Sequence, residues 1–204
     1  MDGGIDNRAT GSDTRDKILE AALDLFASKG YHGTSMREIA SMVDIQKSSI
    51  YNHFAGKKDI FEKLLLTFGP GSIKNILTSK ELKEKVDKPY EFLQLLARKA
   101  FNLTKKPEEQ KFIKLVMREH DRDSVKKLIE EKIMEEDRKI LAGIFRTMME
   151  KGLIKEYEPL LLATEFIGFF ILLRIQYVLL ERKPDTADMV DKHIDFFWQA
   201  VKID

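Results

Sequence analysis

The chain has 204 residues with 35 Lys+Arg against 34 Asp+Glu, a formal net charge of +1, and is 43% apolar and 34% charged. That apolar share can build a sizeable core, so wholesale disorder is excluded, and bulk charge alone announces no nucleic-acid partner. The absence of cysteine removes disulfides, thiolate zinc sites and cysteine nucleophiles, and suits a reducing, cytoplasmic setting.

Apolar residues recur at helical spacing between five prolines and eleven glycines, which predicts an all-α chain of about nine helices. The opening stretch MDGGIDNRATGSD lacks the apolar core of a signal peptide, and residues 1–11 read as a flexible tail. Asp13 can cap a first helix whose apolar stripe is Ile18, Leu19, Ala22, Leu25 and Phe26. Gly30 ends it, since glycine accepts the left-handed conformation past a helix C-terminus.

Ser35-Met36-Arg37-Glu38 is a capping box opening a helix of about two turns, with Met36, Ile39, Ala40 and Val43 on one face. Asp44 breaks it, and a third helix starts after Ile45, with Ile50 and Phe54 inward. Ala55-Gly56 ends that helix. Lys57 opens a fourth, with Ile60, Phe61, Leu64, Leu65 and Phe68 inward. Gly69-Pro70-Gly71-Ser72 is the strongest break, dividing an N-terminal domain (12–72) from a C-terminal one (73–204). Beyond it, Pro89, Pro107, Pro159 and Pro184 mark starts of helices near 90–105, 108–119, 123–151, 159–182 and 186–202.

Two short helices joined by a tight turn make a helix-turn-helix. In that arrangement the second helix lies in a major groove while the first crosses the backbone. Gln46, Lys47, Ser48, Ser49, Tyr51, Asn52 and His53 can then face double-stranded DNA, with Ser35 and Arg37 at the capped start of the preceding helix. Asparagine and glutamine suit adenine, lysine suits guanine or phosphate, and tyrosine and histidine reach the backbone. Residues 29–58 place Lys29, Arg37, Lys47, Lys57 and Lys58 against Glu38 and Asp44, a modest basic patch. The competing reading is an unrelated three-helix core.

Residues 14 to about 68 resemble the DNA-binding domain of the TetR family of bacterial repressors. The resemblance rests on ILEAALDLFASKGYHGTSMREIA, Val43-Asp44-Ile45, SSIYNHF and the following lysine. It implies phosphate contacts at Thr34, Tyr51, His53 and Lys57. Three positions depart from the family pattern. Asp44 stands where a turn glycine is common, Gln46 replaces the usual capping hydroxyl, and Ser48 replaces glycine or alanine.

The resemblance also implies an antiparallel helical C-terminal domain that binds a small-molecule effector and dimerises. MEKGLIKEYEPLLLATEFIGFF is similar to the family's link into its penultimate helix, with Gly152 ending one helix and Gly168 allowing close approach. The helices 159–182 and 186–202 are very apolar for one monomer to cover, so a homodimer through them is expected. Effector candidates are Phe101, Met117, Phe145, Met148, Phe166, Phe170 and Tyr177, with Arg174 as anchor for an anionic group; ordinary core packing is the competing reading. Arg174 needs a partner, and Glu165 or a subunit interface could supply it.

Pro159–Leu180 is nearly long enough to span a bilayer, but Glu165, Arg174 and Gln176 interrupt it, so a buried helix and no membrane are expected. The sequence contains no P-loop, nucleophile elbow, zinc helix motif or dinucleotide fingerprint, so neither enzymatic activity nor a cofactor or metal is expected. The Glu119-His120-Asp121-Arg122-Asp123 run reads as a solvated turn. The resulting expectation is a repressor on a near-palindromic operator, released by a small molecule. The alternatives are an activator, an effector-independent regulator, or a helical enzyme or carrier with a vestigial helix-turn-helix.

Overall fold

Helical periodicity closes nearly every described segment into a helix, and the computed structural model contains no strand among the residues it describes, 7–68, 71–179 and 186–203. Helix α1 spans Asn7–Lys29, so it begins upstream of the predicted cap. The Asp13 carboxylate is engaged instead by Lys17 Nζ one turn on, at 2.6 Å. Of the expected tail, residues 1–6 lie outside the described residues, while 7–11 are helical.

Then come α2 (Met36–Val43), α3 (Lys47–Ile50) and α4 (Lys57–Phe68). Gly69 and Pro70 lie outside the described residues, and the chain is helical again in α5 (Gly71–Leu77). A further short helix, α6 (Lys80–Lys83), is capped by Ser79, whose hydroxyl accepts the Leu82 amide. From sequence, α5 is legible only as a resumption of the fourth helix beyond the break, and α6 is too short to show a period.

Helices α7 (Pro89–Thr104) and α8 (Pro107–Arg118) both carry proline at their first turn, as expected. The predicted 123–151 segment is composite. It runs as α9 (Asp123–Leu128), a π-helical stretch (Ile129–Glu136) and α10 (Asp137–Glu150). Last come α11 (Pro159–Leu179) and α12 (Thr186–Val201). Pro184 lies outside the described residues.

These helices bury two separate cores. The N-terminal core joins Ile18, Leu19, Phe26, Ile39, Ile50, Phe61 and Leu64 from the first four helices with Phe54 of the α3–α4 link. It also takes in Phe112 and Leu115 of α8 and Val125 and Leu128 of α9. The head is therefore completed by residues far beyond the 69–72 break. The second core gathers α7, α10, α11 and α12 around Phe92, Phe145, Phe166 and Phe197, whose rings meet edge-on or stacked at 5.0–6.3 Å where they touch. Lys155 N–H donates to Val201 O and Tyr157 Oη to Ala200 O, pinning the α10–α11 link to the end of α12.

Helix α11 is apolar all round but buried on one side only. Leu162, Ala163, Phe166, Phe170 and Leu173 face the core, whereas Leu161, Leu172 and Leu179 are exposed. Among the described residues it is the single helix long and apolar enough to cross a membrane. Its inner face is nevertheless committed to packing against α10, α7 and α8, as in the core helix of a soluble domain. Glu165, one suggested partner for Arg174, points outward. The partner is Glu109 of α8.

Candidate nucleic-acid interface

The local chemistry of Ser35 to Phe54 fixes the geometry of the two-helix unit. Ser35 is extended (φ −109°, ψ 154°); its hydroxyl accepts the Glu38 amide, and Glu38 Oε2 accepts the Ser35 amide at 2.8 Å. The other carboxylate oxygen holds Lys29 Nζ at 2.6 Å, which ties α2 to the end of α1. Hydrogen bonds from Lys29 first, then from Ser35, hold the Glu38 carboxyl down to about 2. The predicted capping box is formed.

Asp44 ends α2 in the left-handed conformation (φ 58°, ψ 47°), its N–H returning to the Ala40 and Ser41 carbonyls. Aspartate tolerates this region better than most residues but still at a cost. Asp44→Gly is accordingly expected to raise the unfolding free energy by up to about 1 kcal/mol, measured by urea titration. No gain, or a loss, would mean that the carboxylate contributes more than the strain removes.

Gln46 occupies the N-cap of α3 (φ −72°, ψ 145°) without any side-chain capping bond, as its departure from a hydroxyl residue implies. Helix α3 is shorter than predicted. It has one α-turn, continued by tight bonds from Asn52 N–H to Ser49 O and from His53 N–H to Ile50 O. Ile50 and Phe54 anchor that turn in the head core, fully buried. Gln46, Lys47, Ser48, Tyr51 and Asn52 are exposed on the outside, and Ser49 and His53 are half-buried. Ser35 and Arg37 are exposed at the start of α2.

Two predicted contact residues are hydrogen-bonded within the protein. Thr34 is 2% exposed, and its hydroxyl donates to Gly30 O at 2.9 Å. Lys57 Nζ donates to Tyr31 O and Thr34 O, both at 2.7 Å, and sits 4.4 Å from the Tyr31 ring centroid. Both side chains brace the α1–α2 loop. Lys29 and Lys58 are also paired, with Glu38 and Glu62, so the basic patch reduces to Arg37 and Lys47. Among the described residues neither of these makes an ion pair, and their charges are available to phosphate.

Residues 18–64 match the family profile described as "Bacterial regulatory proteins, tetR family". The N-terminal head is similar to that of the TetR family. The biofilm operon icaADBC HTH-type negative transcriptional regulator IcaR of Staphylococcus aureus (strain Newman) is 49% identical over 49 residues, 24% of this chain and 26% of that relative. A protein named "Probable HTH-type transcriptional regulator YttP" of Bacillus subtilis (strain 168) is 42% identical over 66 residues, 32% of each chain. The likeness to these relatives thus spans between a quarter and a third of their length. Beyond the TetR-type head, similarity is one of fold. A structure described as a TetR-family transcriptional regulator from Mesorhizobium loti superposes with a TM-score of 0.75, at 24% identity, over 94% of this chain and 98% of that one.

The predicted effector residues do not converge on one site. Phe145 and Met148 are core, 1% and 0% exposed, and Phe101 is buried with Lys105 Nζ 4.0 Å from its ring centroid. Phe166 and Phe170 line a cavity of about 50 Å³ between α10 and α11. Met117 lines a second cavity of about 210 Å³ between α8 and α11. Arg174 lines both, and Tyr177 lines neither.

The Glu119–Asp123 run is not merely solvated. Its His120 and Asp121 are exposed, but the Glu119 side chain is only 10% exposed and its Oε1 accepts the Tyr31 amide at 2.9 Å. Arg122 lies 3.8 Å from the Tyr31 ring centroid, and Arg118 donates to the Ala27 and Ser28 carbonyls at the end of α1. The joint between head and body was invisible in sequence because its partners stand some ninety positions apart.

Proposed function

We propose that the protein is a sequence-specific, DNA-binding transcriptional repressor, acting in the cytoplasm as a homodimer and released from a near-palindromic operator by a small molecule. The observation that carries this reading is the surface of α3. Gln46, Lys47, Ser48, Tyr51 and Asn52 stand exposed on a turn that buried Ile50 and Phe54 hold rigid. That is what reading base edges in a major groove requires. The naming of IcaR as a negative regulator supports the repressor role.

The dimer is supported by large apolar side chains left uncovered on the last two helices. Leu161, Leu172 and Leu179 of α11 and Met189 and Phe196 of α12 are all exposed. A Cβ added at Gly168 on the same stripe would meet nothing within 4 Å, which leaves room for a partner helix to approach closely. An effector would act by changing the separation of two heads that must match about 34–36 Å of DNA.

Fluorescence anisotropy on DNA from upstream of the gene tests the reading. Tight binding that weakens steeply with salt is expected. Arg37→Ala should weaken all sequences alike and lower the salt slope by about 1, whereas Asn52→Ala should relax discrimination at one base pair by about 1–3 kcal/mol. Binding indifferent to sequence would end the proposal.

A further inference from the structure

The 210 Å³ cavity lies on the seam between α8, which packs into the head core, and α11, which packs into the second core. Phe112, Val116 and Met117 of α8 form one wall, Ile129 closes an edge, and Ile171 and Arg174 of α11 form the other wall. Phe112 is at the same time part of the head core, and Val116 and Ile129 pack against that core. The partition between cavity and DNA-binding head is therefore one side chain thick.

Arg174 is the single polar residue on this lining. Its guanidinium pairs with Glu109, itself 6% exposed, at the first turns of α8. Its Nε is buried and has no hydrogen-bond partner among the described residues. Burial pushes the guanidinium down to about 10, which leaves it charged at neutral pH. A half-buried cation with a buried, unused donor, on the lining of an otherwise apolar space, presents the recognition chemistry of an anion. The smaller cavity on the other side of Arg174 is also lined by Asp137, whose carboxylate would repel one. At about 30 Å³ per water molecule, the larger cavity has room for a short chain rather than a drug-sized ligand.

Helix α8 connects this cavity to the head. Glu109 lies near its start, and Arg118, which holds the α1 carbonyls, is its last residue, roughly 14 Å away at 1.5 Å per residue. We infer that the seam cavity binds a small amphipathic carboxylate, its anionic group on Arg174 in competition with Glu109, and that occupancy shifts α8 and with it the head. The inference rests on the effector-responsive, DNA-binding reading above.

Calorimetric titration of the full chain with hexanoate and octanoate, against octylamine and 1-octanol, tests it. Saturable binding of a carboxylate, but not of the amine, is expected. Arg174→Gln should weaken carboxylate binding at least tenfold, while Glu109→Gln should strengthen it several-fold by removing the competing anion. A purely structural ion pair predicts that both variants bind more weakly, and that result overturns the inference, as does preference for the amine or no saturable binding. Should Arg174→Gln not fold, the Glu109→Gln and amine arms still decide. The carboxylate should also lower operator affinity in the anisotropy assay; Arg174-dependent binding without that effect overturns the α8 coupling. Sequence-specific DNA binding with no carboxylate response would leave the repressor reading standing and remove only this one.

Discussion

Phe196→Asp is expected to leave each chain folded, turn the dimer into a monomer and lower operator affinity by about 10²-fold or more. Phe196 is 77% exposed and lies in the middle of α12, so within one chain an aspartate there displaces no packed neighbour. In a dimer the same position would bury a carboxylate against Leu161 and Leu172 type surface, where an unpaired charge costs several kcal/mol. The DNA effect follows from geometry. Two linked heads bind a palindrome with the second contact made at high effective concentration, and a monomer loses that contribution. Sedimentation velocity gives the mass, far-UV circular dichroism the fold, and anisotropy the affinity. A variant that remains dimeric would move the interface away from α12.

How much of this was legible in sequence depended on whether the determining contact was local. The capping box at Ser35–Glu38 and the proline starts of α7, α8 and α11 are decided within one turn, and sequence located them. The left-handed Asp44 was readable from the few residue types that accept it. Residue type could not say which way a polar side chain turns. Thr34 and Lys57 look like phosphate ligands in sequence, yet both satisfy backbone groups of the α1–α2 loop. Nor could periodicity show that α8 completes the head. The alternation of Phe112 and Leu115 with Ile113 and Met117 marks two apolar faces of one helix, and only the fold assigns the first pair to the head core and the second to the wall of a cavity against α11.

The last prediction concerns that connection. Glu119→Ala is expected to lower the unfolding free energy by about 1–3 kcal/mol, because it leaves the partly buried Tyr31 amide without its acceptor. The substitution also removes the carboxylate beside Arg122, whose guanidinium lies over Tyr31 and approaches His32 Nε2 at 3.3 Å. Glu119→Gln retains an acceptor oxygen and should lose less, so the difference between the two isolates the hydrogen bond from the charge. Because Glu119 and Arg122 share one network, the double substitution with Arg122→Ala should cost less than the two single losses together. Gly30 sits in the same joint at φ +77°, with its missing Cβ position 3.1 Å from Glu119 Oε1, so Gly30→Ala should destabilise both by backbone strain and by displacing that oxygen. Chemical denaturation of these five variants measures the costs, and wild-type stability in Glu119→Ala would show that the carboxylate does not hold the joint. If it does, operator binding should also weaken in Glu119→Ala while the dimer persists, since a head no longer fastened to α8 is free to turn and its two recognition helices lose their fixed spacing.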